Sequence, residues 1–119
     1  MNNYDDRKYV EFLWNREQMK IGSLYQYKTG MEEHRYAKEY RLLSDEEHQN
    51  YFHSSGKVIG WIKPDDVVVL LKNEVVSYDP QDGKGEIYQI MIKVMTTSGT
   101  CGWIPWFSQT WFCVEEGQC

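Results

Sequence analysis

Between residues 57 and 113, apolar runs alternate with turn-forming residues, and no other feature of the chain restricts its fold so much. "KVIGWI" is followed by "KPDD". "VVVLLK" and "EVVSY" follow as one strand or two, and "DPQDGKG" makes a hairpin tip. "EIYQIMIKVM" is the longest run, "TTSGT" a tight turn, "CGWIPWF" the next strand, and "TWFCV" a last short one. Short β-branched and aromatic runs bounded by Pro, Gly and Asp read as strands. This spacing favours a sandwich or barrel over a parallel sheet. The expectation is a mainly-β fold of about five or six antiparallel strands, closed on itself because closure removes sticky edges. Within the longest run, Tyr88, Ile90, Ile92 and Val94 share the core face, and Gln89, Met91 and Lys93 share the other. Gly99 suits the positive φ of its turn. Pro105 has no N–H, so it must end its strand or lie at an edge.

The N-terminal part reads differently. Residues 5–20 form a helix capped by Asp5 or Asp6, with Tyr9 and Leu13, and Val10 and Trp14, as apolar neighbours at i, i+4. That stripe, widened by Phe12, needs the rest of the chain or a partner to cover it. Gly22 ends the helix. In "IGSLYQYK", alternation puts Tyr25 and Tyr27 on one face and Leu24 and Gln26 on the other. Residues 36–43 read as an extended arm. Ser44 and Glu47 match a capping box for a short helix over 45–52.

The chain has 119 residues, which fits one domain. The expected division is 1–20 as a helical extension, 21–114 as the barrel and 115–119 as a flexible tail. A net charge of −5 argues against non-specific nucleic-acid or anionic-membrane binding. "MNNYDDRKYVEF" has no apolar leader, and no stretch approaches the roughly 20 apolar residues that span a bilayer. A cytoplasmic location, or one inside an assembly formed there, is expected. In such a compartment Cys101, Cys113 and Cys119 are free thiols.

Four segments, taken in order, resemble the SH3 (Src-homology three) family. "SLYQY" at residues 23–27 resembles its opening ALYDY strand. "WIKPDDVVVLL" at 61–71 resembles its diverging turn and next strand. "KVMTTSGTCGWIP" at 93–105 resembles its distal hairpin, and "SQTWFCV" falls where the family has a short turn and last strand. The resemblance covers residues 21–114 and implies an SH3-like small barrel. The connection between Tyr27 and Trp61 is far longer than the family's first loop, and "KNEVVSYDPQDGKGE" is long as well. The resemblance further implies a groove for proline-rich peptides. Such ligands dock between aromatic walls because their helix is already ordered. Carried over by position, the groove residues are Tyr25, Tyr27 and Pro105, with Trp106 standing near the place of a final aromatic. The central Trp of the family falls near Gln89, which removes one wall, at a cost of about 1–3 kcal/mol. The final Tyr falls near Ser108, with Trp106, Phe107 or Trp111 as substitutes, and alternation favours Trp106 over Phe107 as the exposed one of that pair.

Other chemistries find less support. His48 and His53 are five apart, which is wrong for two ligands on one helical face, and no Cys pair supports His34. Asp79, Asp82 and Glu86 lack the alternation of a calcium loop. No GxSxG, P-loop or GxGxxG occurs, so no enzyme and no cofactor is expected. Glu32, Glu33, Glu39, Asp45, Glu46 and Glu47 make the first loop acidic, as a solvated face or to steer a basic ligand. Lys57, Lys63, Lys72 and Lys93 could form a stripe for nucleic acid beside aromatics. The expected function is therefore a non-catalytic module that binds a protein or peptide through Tyr25, Tyr27, Pro105 and Trp106. The alternatives are a self-associating structural or accessory subunit, of the kind viruses encode, and a nucleic-acid binder.

Overall fold

The computed structural model describes residues 6–28, 39–44, 57–78, 83, 85–107 and 110–114. One helix, α1 (Arg7–Glu17), precedes seven strands: β1 (Leu24–Tyr27), β2 (Tyr40–Leu43), β3 (Val58–Ile62), β4 (Val67–Tyr78), β5 (Ile87–Thr96), β6 (Cys101–Pro105) and β7 (Trp111–Cys113). The mainly-β expectation holds, with seven strands in place of five or six. The extra strand comes from the 36–43 arm, of which Tyr40–Leu43 pairs with both β3 and β6. "VVVLLK" and "EVVSY" are one strand, bent by a register shift between Leu70 and Lys72. An extra residue there bends β4, and β1 pairs only with the part before it. The expected helix over 45–52 lies outside the described residues.

The strands form one antiparallel sheet in the order β3-β2-β6-β5-β4-β1-β7. Among the described residues no ladder joins β3 to β7, so the sheet is a curled half-barrel rather than the closed barrel expected from sequence. The curl follows from ring contacts. Strands β1 and β2 stand four places apart, about 19 Å if the sheet were flat. Yet the rings of Tyr27 and Tyr40 lie 5.0 Å apart. Ile62 from one edge and Trp111 from the other belong to the same buried cluster. Every strand contributes apolar side chains to the concave face, and curling is what brings them together.

Central strand β5 is buried on both faces. Ile90, Ile92 and Val94 are sealed in the concave core, and Tyr88 packs against it half-buried. On the convex face Met91 joins Leu43, Val76 and Trp103 in a second cluster. Trp103 and Ile104 are adjacent yet both buried, one in each cluster.

The open side of the curl receives α1. Asp6 caps the helix by accepting from the Lys8 amide at 2.9 Å, so it starts at Arg7, two residues inside the expected range. It ends at Gln18, in the left-handed region with φ 54, rather than running to residue 20. Val10 enters the concave core, and Leu13 and Trp14 pack against it. Helix α1 thus contributes to the same core as the strands. Phe12 stays 56% exposed, with the Arg16 guanidinium 5.9 Å from its ring centre. None of the helices described is long and apolar enough to cross a membrane.

Two turns set the strand geometry. Between β3 and β4, Pro64 and Asp65 take the central positions, with Asp65 at φ 73. The Asp66 carboxylate accepts from the Lys63 amide at 2.8 Å. The turn is tied to β1, since the Asp65 amide donates to the Tyr27 carbonyl and the Tyr27 amide to that of Asp66. Between β5 and β6, Gly99 has φ 88, as its position required.

Gly102 is the tightest point of the β2–β6 contact. A Cβ there would lie 2.6 Å from Leu42 Cγ and 2.8 Å from the Leu43 carbonyl oxygen. Because one of those atoms is backbone, G102A is expected to destabilise the fold by about 1–3 kcal/mol. Urea unfolding of the variant measures this, and an unchanged midpoint would show that β2 shifts freely.

Candidate functional site

The four residues carried over from the SH3 resemblance do not form an exposed groove. Tyr27 is sealed and Tyr25 is 3% exposed. Pro105 is fully buried, and Trp106 is 4% exposed. Each has a specific reason. Tyr25 and Tyr27 point to the concave face, where Tyr27 meets both Tyr40 and Trp111, the latter at 5.3 Å. The Tyr25 hydroxyl accepts from the Lys20 amide and so helps to set the helix-to-strand connection. Pro105 ends β6 opposite Met91. The Trp106 amide then continues the ladder to the Ile90 carbonyl, and its indole lies edge-on to Trp14 of α1 at 5.2 Å. Of the pair Trp106 and Phe107, alternation favoured Trp106 as the exposed one. The structure reverses this, because α1 covers Trp106 while Phe107 is only half-buried.

Gln89 is more than a missing wall. It is buried, and its side-chain amide donates to the Trp106 carbonyl at 2.7 Å and the Ile90 carbonyl at 3.0 Å. The chain leaves strand geometry after Pro105, and Gln89 satisfies the carbonyl exposed by that departure.

The open surface lies at the other end of β5. Thr96 is six residues beyond Ile90, about 20 Å along the strand. A groove of about 310 Å³ opens there, between β3, the start of β4 and the β5–β6 turn. Trp61 lines it and is 51% exposed. Half-buried Ile59 and Val67 contribute apolar surface, and Asp66, Thr96, Ser98 and Thr100 contribute polar groups. The hydroxyls form a short chain, with Thr96 to Ser98 at 2.8 Å and Ser98 to Thr100 at 3.4 Å. Among the described residues, strand β3 has β2 on one side only, so its other edge offers unpaired backbone groups. The motif "WIKPDD" points to the turn rather than to Trp61. The available signal was alternation, since a buried Ile62 puts Trp61 outward.

The remaining candidates scatter. Lys72 and Lys93 are cross-strand partners on the convex face, while Lys57 and Lys63 flank edge strand β3. The aromatic beside Lys93 is Trp103, which is buried, so those lysines do not sit with a stacking surface. Among the described residues no group of His, Cys, Asp and Glu could hold a metal ion. His34, His48, His53, Asp79, Asp82 and Ser108 lie outside the described residues, as does the first-loop acidic set except the exposed Glu39. Cys113 is disulfide-bonded, which corrects the expectation of three free thiols, because cysteine spacing alone does not reveal which chain segments meet. Cys101 is free and exposed. Compared with known proteins, the chain matches no family model, no curated protein and no solved structure.

Replacing Gln89 by Leu keeps the volume but leaves the buried Trp106 carbonyl without that donor. Q89L is expected to lower stability by about 1–3 kcal/mol, the penalty of one buried unsatisfied acceptor. Thermal unfolding tests this, and an unaltered transition would show that the carbonyl finds another donor.

Proposed function

We propose that the chain is a non-catalytic interaction module on an SH3-like small barrel, and that it takes a protein or peptide segment in the groove beside β3. Support for the barrel type comes from the order of elements. An opening strand, a long connection bearing the β2–β3 hairpin, the Pro64–Asp65 turn, a three-strand meander and a short last strand follow the sequence of motifs that carries the resemblance. The recognition surface of this reading differs from the one carried over. Tyr25, Tyr27, Pro105 and Trp106 build the core, and Trp61 takes the role of contact aromatic.

The observation that carries the reading is the half-exposed Trp61 on a groove wall next to a strand edge that is unpaired among the described residues. An extended segment laid along β3 gains main-chain hydrogen bonds from the edge, and side-chain selectivity from the groove. Trp is a residue type on which binding energy concentrates. In nitrogen-15 NMR titrations against a peptide library, binders are expected to shift the Trp61 indole signal and the amides of residues 96–100. W61A is expected to weaken binding at least about tenfold, equal to roughly 1.4 kcal/mol, without changing the fold. Binders that perturb only other surfaces, or that W61A leaves untouched, would refute the placement.

A second reading, a self-associating subunit, draws on the convex face of the opposite half. Val114, just past β7, then Leu24, Val69 and Met95 follow one another across β1, β4 and β5. Phe112, 51% exposed, stands on the adjacent row opposite Gln26. Uncharged sheet faces of this kind mark association sites. In sedimentation equilibrium, self-association through this face is expected to be abolished by F112K, and a wild-type chain monomeric at every concentration removes the reading.

A further inference from the structure

The backbone at the edge of β3 fixes which residue of a bound segment lies beside Trp61. In an antiparallel ladder the backbone groups of successive residues point alternately toward one neighbour and the other. The Lys63 amide donates to the Asp66 carboxylate at 2.8 Å and so faces away from β2. Trp61 stands two residues before Lys63, and turns its own N–H and C=O the same way. The other end of the ladder agrees. There the Ser44 amide donates to the Lys57 carbonyl, and the extra residue Ile59 reverses the alternation before Trp61 is reached. A segment laid along this edge therefore exchanges main-chain hydrogen bonds with Trp61. Its residue directly opposite carries its side chain on the same face as the indole.

The charges around that position are uneven. Among the described residues that line the groove, Asp66 is the one that carries a charge. The Lys63 amide holds its carboxylate at the same outer edge, two residues or about 7 Å beyond Trp61. Three cations stand nearby, Lys57, Lys63 and, opposite Trp61 on β2, Arg41, but none of them lines the groove. The indole itself is half-exposed.

We infer that the segment held beside β3 is basic, and that it places an arginine opposite Trp61, with the guanidinium on the indole face and against the Asp66 carboxylate. This rests on the groove reading above and adds to it the chemistry of the ligand. Trp is the best of the aromatic rings for holding a cation. A guanidinium is flat and delocalised, so one side chain can stack on a ring and donate to a carboxylate together. The hydroxyls of Thr96, Ser98 and Thr100 offer further acceptors on the groove wall. The net charge of −5 favours the approach of a basic segment over an acidic one. Both contacts are open to water, so each is modest and the selectivity comes from their sum.

The test uses the full chain and three blocked heptapeptides of threonine and valine. They differ only at the centre, which is arginine, its uncharged isostere citrulline, or glutamate. In nitrogen-15 NMR titrations the Trp61 indole signal reports binding. The arginine peptide is expected to bind at least about fivefold more tightly than the citrulline peptide, and the glutamate peptide most weakly. The side chain in D66N still offers an oxygen to the Lys63 amide but no charge to the ligand. In that variant the gap between arginine and citrulline is expected to shrink to about twofold, the share of the indole. On the unmodified chain the gap is expected to narrow in about 1 M salt, and this comparison serves if D66N does not fold. Equal binding of the arginine and citrulline peptides, or tightest binding of the glutamate peptide, would overturn the inference, while a Trp61 response to them leaves the groove reading standing. A gap as wide in D66N as in the unmodified chain would overturn the role of Asp66. If no peptide moves the Trp61 signal up to about 5 mM, the groove reading falls and this inference falls with it.

Discussion

The structure depends on one contact made across the sheet rather than along it. Tyr27 and Tyr40 belong to strands four places apart, and their rings meet on the concave face. Tyr27 also meets Trp111, and Tyr40 stacks on Phe107 at 6.0 Å, so the aromatic set links β1, β2, β7 and the segment after β6. Aromatic pairs in such geometries add about 0.5–1.5 kcal/mol each beyond the area they bury. A flat sheet could not make them. The shift in register after Leu70 bends β4, and the missing Cβ at Gly102 lets β2 lie directly on β6. Curl, bend and close approach are therefore parts of one arrangement.

That arrangement leaves an open side, and α1 occupies it. A fully closed barrel would have buried Val10, Leu13 and Trp14 nowhere. The half-barrel gives them a surface, while it in turn depends on the helix to shield Trp106. The division of the chain into an extension and a barrel dissolves at this interface, because a single buried cluster contains residues of both.

Much of the fold was legible before any coordinates. Alternation in "EIYQIMIKVM" identified Ile90, Ile92 and Val94 as core, since period-two patterning leaves one face dry. Gly99 and Pro105 marked a turn and a strand end through backbone restrictions that no context relaxes. Asp5 and Asp6 announced the helix start, and the structure makes Asp6 the cap. The candidate site was far less legible. The resemblance to the SH3 pattern selected Tyr25, Tyr27, Pro105 and Trp106, and all four line or seal the buried interior here. Trp61, the exposed aromatic, belongs to the same motif without standing out in it, because a motif match records positions and not solvent exposure.

Local chemistry in the chain determined the elements: where strands begin and end, which face of each is apolar, where the helix is capped, and which glycines take positive φ. These follow from one or a few neighbouring residues. The tertiary structure alone decided that, among the described residues, the sheet stays open between β3 and β7, that α1 covers Trp106, that Gln89 serves the Trp106 carbonyl, and that Trp61 faces a groove. Each of those depends on groups far apart in the chain arriving at one place. Exposure is a property of that arrival, and no stretch of residues encodes it by itself.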